Sequence, residues 1–175
     1  MSLLRKINRP SMVFPLLAGI VLLSIPAQQV VAGCTDPARP GVDWRRCYHD
    51  DRELPGADLS GAKLRDARFS YADLTKAVFA AADARRVKFI SAKLAGATFD
   101  AANLTEADFT NADASGASFR GADLRRARFY RTNLKGADLT GAATDQADLL
   151  NADLSGATWI DGKTICAEGS ISQCR

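Results

Sequence analysis

Gly56-Ala57-Asp58-Leu59-Ser60, Gly61-Ala62-Lys63-Leu64-Arg65 and Asp66-Ala67-Arg68-Phe69-Ser70 open a register of five that runs without insertion to Trp159 and Ile160. Nineteen of the twenty-one frames from Gly56 to Ile160 carry alanine at the second position, and seventeen carry leucine or phenylalanine at the fourth. A helix repeats its faces every ~3.6 residues and a strand every ~2, so a period of five belongs to neither. The register specifies an architecture and supplies no chemical site of its own.

Upstream of the array, Arg5, Lys6 and Arg9 precede an apolar run from Met12 to Ile25. The run is too short, and too interrupted by Pro15, for a membrane span, so residues 1–32 read as a secretory signal. Val30-Val31-Ala32 places cleavage after Ala32 and the mature start at Gly33, which makes the expected location the periplasm or the exterior of a bacterium, with no membrane span in the mature form. Val31-Ala32-Gly33-Cys34 also fits a loose lipobox, which would give Cys34 a lipid anchor. Pro26-Ala27-Gln28-Gln29 separates it from the apolar core, and acylation would leave an odd thiol, so ordinary cleavage is the expectation.

The four cysteines form two local sets, Cys34 with Cys47 before the array and Cys166 with Cys174 after it. Export and an even count read as two disulfides, and the array between the sets holds the ends apart, which favours local pairing. Neither set has zinc-knuckle spacing, and His49 is the only histidine. Removing residues 1–32 takes three basic residues and no acidic one from a chain with 23 Lys and Arg against 20 Asp and Glu, leaving 20 of each. No net field then draws the mature protein to nucleic acid or anionic lipid, and nucleic acid is not an expected partner.

Frames such as Ala72-Asp73-Leu74-Thr75-Lys76 and Ala102-Asn103-Leu104-Thr105-Glu106 resemble the pentapeptide repeat family over about three quarters of the mature chain. The resemblance implies an all-β fold, a right-handed quadrilateral β-helix with one pentapeptide per side and four per turn. Residues 56–160 would make about five coils, flanked by an N-terminal cap over 33–55 and a C-terminal cap over 161–175, each closed by a disulfide. The stretch from Trp159 to Cys174 also looks like the tail of exported bacterial pentapeptide proteins.

Sorting the sequence at twenty residues per turn tests the implied geometry. One wall stacks Leu59, Phe79, Phe99, Phe119, Leu139 and Trp159, and the opposite wall stacks Phe69, Phe89, Phe109, Phe129 and Leu149. Seven of the eight phenylalanines thus fall on two walls, which three or five frames per turn would scramble. At a strand spacing of about 4.8 Å the array is roughly 25 Å long, and its rings stack favourably. The alanines sit where the walls converge. Ala84, Ala114 and Thr144 depart from the large centre residue and predict local thinning of the core. Open ends of a β-helix need caps, and Trp44 and Tyr48 are expected to cover the first coil.

Outside, Arg65, Arg85, Arg86, Arg125 and Arg126 project from one side, and Arg68, Lys88, Arg128 and Arg131 from the next, a candidate binding edge interrupted by Asp83, Glu106, Asp108 and Asp123. Tyr130 and Ile90 add outward contact area. The recurring Asp and Asn follow the repeat period and suit turn-backbone bonding instead of metal or acid–base chemistry. His49 reads as a surface or cap residue. No catalytic, cofactor-binding or metal residue is assigned. The resulting reading is a non-enzymatic scaffold for another macromolecule, most readily a protein. Two alternatives are a topoisomerase-binding DNA mimic, opposed by export and by the arginine edge, and a hydrolase with its site near His49 in the N-terminal cap.

Overall fold

The computed structural model describes residues 33–175. The expected signal peptide over residues 1–32 and its cleavage after Ala32 lie outside the described residues. Twenty parallel bridges, from Asp43–Lys63 to Asp138–Thr158, each join residues twenty apart, so four pentapeptides complete one turn. Every bridge involves a single residue per wall. The chain turns a corner within each frame, so no extended strand forms among the described residues, although the backbone pairing is that of a β-helix.

The corners explain the frame. The amide of each second-position residue donates to the carbonyl of the preceding fourth-position residue, as Ala62 to Leu59 at 3.0 Å and Ala107 to Leu104 at 2.9 Å. The first-position residue between them has positive φ, near 56° at Ala101 and 61° at Gly121. A turn closed in this way, with positive φ only at its third residue, is type II. The third-position carboxylate or amide then braces the wall by accepting the amide two residues on, as Asp73 does from Thr75 at 3.0 Å and Asp108 from Thr110 at 3.0 Å. Turn bracing is therefore what the recurring Asp and Asn do.

Second and fourth positions build the core. The alanines from Ala62 to Ala137 and the rings from Phe69 to Phe129 are essentially without exposure. Rings on one wall stack at coil spacing, Phe79 on Phe99 at 4.8 Å and Phe109 on Phe129 at 4.8 Å between centroids. Opposite walls are offset by half a turn, so their rings meet edge to face across the bore, Phe99 with Phe109 at 5.7 Å and 90°. Ala84 and Ala114 are fully buried, whereas Thr144 is partly exposed.

The bridge register reaches back past the expected start at Gly56. Asp43, Tyr48 and Glu53 bridge Lys63, Arg68 and Asp73, so the segment expected as a cap contains frames in the same winding. Trp44 fills a centre position and is fully buried, but Tyr48 occupies an outward third position and is 70% exposed, so it does not cover the first coil. His49 also corrects expectation. It is 1% exposed, inside the bore, because it stands twenty residues before Phe69 and inherits that wall.

Cys34 bonds Cys47, and Cys166 bonds Cys174, with Cα separations of 5.3 and 4.8 Å. After Ile160 the chain reverses. Asp161 accepts the amides of Lys163 and Thr164, and the returning segment pairs antiparallel with the last winding through Thr158–Ile165 and Asp153–Ile171.

Candidate functional site: the arginine edge

On the expected edge, the structure pairs most of the cations. Arg65 and Arg85 share Asp83, at 3.2 and 2.8 Å. Arg86 forms a two-pronged contact with Asp66, one coil below, at 2.7 and 3.0 Å. Arg125 grips Asp123 at 2.6 Å, and Arg128 reaches Asp108 at 3.3 Å. Arg126 lies between Gln146 Oε1 at 3.0 Å and Glu106 at 3.8 Å. Arg68 pairs with Asp50 at 2.9 Å and sits over the Tyr48 ring at 5.2 Å. Arg131 stacks on Tyr130, 5.0 Å from its centroid. Among the described residues Lys88 makes no ion pair.

The pairing fixes protonation. The Arg86 guanidinium holds the Asp66 carboxyl below its ordinary range, Arg125 does the same for Asp123, and both guanidinia are pushed up in return. Exposed pairs of this kind are screened by solvent, so they orient side chains more than they stabilise the fold. Arg125 and Arg126 also line an open groove of about 420 Å³ with Thr105, Asp145 and Gln146. Arg65, Arg85 and Arg86 are not part of that lining.

Asp66, Asp145 and Gln146 were not among the residues the sequence singled out, yet they complete the edge. Subtracting twenty from Arg86 and adding twenty to Arg126 finds the first and last of them. Among the described residues no cluster of three or more His, Cys, Asp or Glu could hold a metal ion. At 1% exposure, with Nδ1 against Arg52, His49 is not presented to a substrate.

A family model for pentapeptide repeats matches this chain in eight copies, over residues 53–80, 67–105, 82–121, 102–141 and 132–158. The chain belongs to the pentapeptide repeat family. Its backbone is accordingly a right-handed β-helix solenoid of that family. No curated protein matches the chain. Among solved structures it is similar to HetL, a pentapeptide repeat protein involved in heterocyst differentiation regulation from the cyanobacterium Nostoc sp. strain PCC 7120, at 28% identity and a TM-score of 0.51 over 72% of this chain. The match spans 66% of HetL, just under two thirds of its length. A pentapeptide repeat protein from the Arabidopsis thaliana thylakoid lumen matches at 21% identity and a TM-score of 0.41, over 74% of this chain and 85% of that one. QnrB1, a plasmid-mediated fluoroquinolone resistance protein, matches at 23% identity and a TM-score of 0.37, over 70% of each chain.

Proposed function

We propose that this pentapeptide repeat protein is a non-catalytic, exported scaffold that binds another protein through the edge formed by Arg65, Arg85, Arg86, Arg125 and Arg126 on one side and Lys88, Arg128 and Arg131 on the next. The observation that carries this reading is the groove over Thr105, Arg125, Arg126, Asp145 and Gln146, because it falls on the same side as the guanidinium ladder. The second and fourth positions are committed to packing, which leaves recognition to the outer positions. Because the guanidinia are already paired with carboxylates, a partner is selected by the pattern of donors and acceptors, with little help from net charge. Export rests on the basic, apolar leader and on the two disulfides, which suit an oxidising compartment. The disulfide-tied ends act as caps on the coil.

The test is the quadruple substitution of Arg85, Arg86, Arg125 and Arg126 by alanine, followed by in-cell crosslinking. Melting should change little and the captured partner should be lost. A variant that captures the same partner as the wild type removes this side from contention. A reporter fused after residue 40 that works only in the cytoplasm would defeat the export part separately.

A further inference from the structure

Inside the bore, the first winding departs from the rest at one group. His49 continues the Phe69 wall downward, its ring 5.2 Å from Phe69 and inclined 24°, with Trp44 beside it at 4.1 Å and itself 6.3 Å from Phe69. Arg52 Nη1 lies 3.0 Å from His49 Nδ1. A guanidinium only donates, so Nδ1 accepts, and the single proton of the neutral ring belongs to Nε2. That atom is buried with no hydrogen-bond partner, as is Trp44 Nε1. A second proton would have to enter at Nδ1, displacing the Arg52 bond and setting two cations against each other in an apolar bore.

The surrounding charges do not relieve this. Asp50 is the carboxylate whose charge acts on the imidazole, but it is already engaged by Arg68 at 2.9 Å and by the Ser70 amide at 2.8 Å. Trp44 and Phe69 contribute no charge. Nine backbone bonds join residues 41–55 to the next winding, among them Trp44 to Lys63 at 2.9 Å, His49 to Arg68 at 2.8 Å and Leu54 to Asp73 at 2.7 Å, and opening must break them.

We propose that His49 makes the first three frames of the coil, residues 41–55, an acid-opened clasp: protonating the imidazole drives it out of the bore and parts these frames from the Lys63–Asp73 layer above. Opening uncovers an unpaired β edge and the Phe69 ring, a new surface that exists only in acid. Burial first, and then the Arg52 charge, hold the closed imidazole down to a pKa of about 4, while an opened one titrates near the ordinary value of 6.5. A lowered histidine pKa gives stability that is full above the unfolded value and is lost as pH falls toward the folded one. The opening constant therefore rises about tenfold per pH unit between 6.5 and 4, or roughly 300-fold across the window.

Amide exchange followed by NMR tests this on the intact protein. Opening constants at Trp44, His49 and Leu54 should climb across that window while those at Phe109 and Phe119 stay level. His49→Phe should flatten the response, and Arg52→Gln, which removes the opposing cation, should move its lower limit upward in pH. The ring nitrogens should report the Nε2–H tautomer at neutral pH. First-winding amides that track Phe109 throughout, or an unchanged acid response in His49→Phe, would overturn the proposal. Should His49→Phe not fold, the Arg52→Gln shift and the tautomer decide it: no shift, or an Nδ1–H ring, refutes it.

Discussion

Truncating Phe109 to alanine strikes the point where both ring ladders meet. The ring has four aromatic neighbours, Phe89 at 5.1 Å, Phe99 at 5.7 Å, Phe119 at 5.8 Å and Phe129 at 4.8 Å, and it is fully buried. Loss of a buried phenylalanine side chain costs ~3–5 kcal/mol through transfer and cavity terms. Each aromatic pair adds ~0.5–1.5 kcal/mol, but these overlap with the burial figure and cannot simply be summed. The walls are held by coil-to-coil hydrogen bonds on both sides, such as Phe109 to Arg128 at 2.7 Å, so they cannot collapse into the space. That argues for the upper end, about 5 kcal/mol, against ~1–2 kcal/mol for Phe109→Leu, which keeps most of the volume. Denaturant unfolding followed by circular dichroism and tryptophan fluorescence measures both. A loss below ~2 kcal/mol for Phe109→Ala would mean that the rings do not carry the core.

Three further outcomes follow from the turns and the charges. Ala101→Gly should raise stability by ~0.5–1 kcal/mol, because Ala101 holds a φ of 56° that a Cβ disfavours, and Gly121→Ala at the same corner should lower it by a similar amount, with nothing within 4 Å to blame but the backbone; paired thermal melts check the signs. Gly162→Ala should loosen the returning segment, since its Cβ would meet Thr140 Cγ2 at 2.8 Å at a position already at φ 68°, and amide exchange at Cys166 would detect it. Acid should weaken the whole coil below the carboxylate range: Asp73, Asp123 and Asp138 are held low chiefly by Thr75, Arg125 and Thr140, so their contribution is present above about pH 3.8 and lost as pH falls through the depressed values. Unfolding in the His49→Phe background isolates that limb, and a midpoint indifferent to pH between 4 and 2 would contradict it.

The array was legible because its period is written twice, in the alanines that fit the converging walls and in the rings that fill the bore. The first winding was not, although it has the same geometry. There Val42, Cys47 and Arg52 replace the small second-position residues, and Trp44 and His49 replace the usual centres, with only Leu54 conforming, so the vocabulary changes while the spacing does not. Subtracting twenty from Phe69 would have placed His49 in the bore. The outward direction of Tyr48 follows from the same arithmetic, since it stands twenty before Arg68. The returning segment was beyond that arithmetic, because it runs antiparallel and takes its course from the Asp161 and Gly162 reversal instead of the period.

The edge presents the opposite problem: its residues were legible and their electrostatics were not. Counting arginines along one side suggests a positive field, but third-position carboxylates are required at those walls for a reason unrelated to any partner. Asp108 and Asp123 brace the turn amides of Thr110 and Arg125, and the same carboxylates then draw in Arg128 and Arg125. Arg125 and Arg128 are therefore neutralised by carboxylates that the repeat already requires. The binding proposed for this edge would come from geometry, namely paired donors and acceptors repeated at coil spacing, with stacked rings of 4.8 to 5.1 Å setting the interval. A partner recognised in that way tolerates salt better than one steered by net charge, because close pairs are screened less than distant fields.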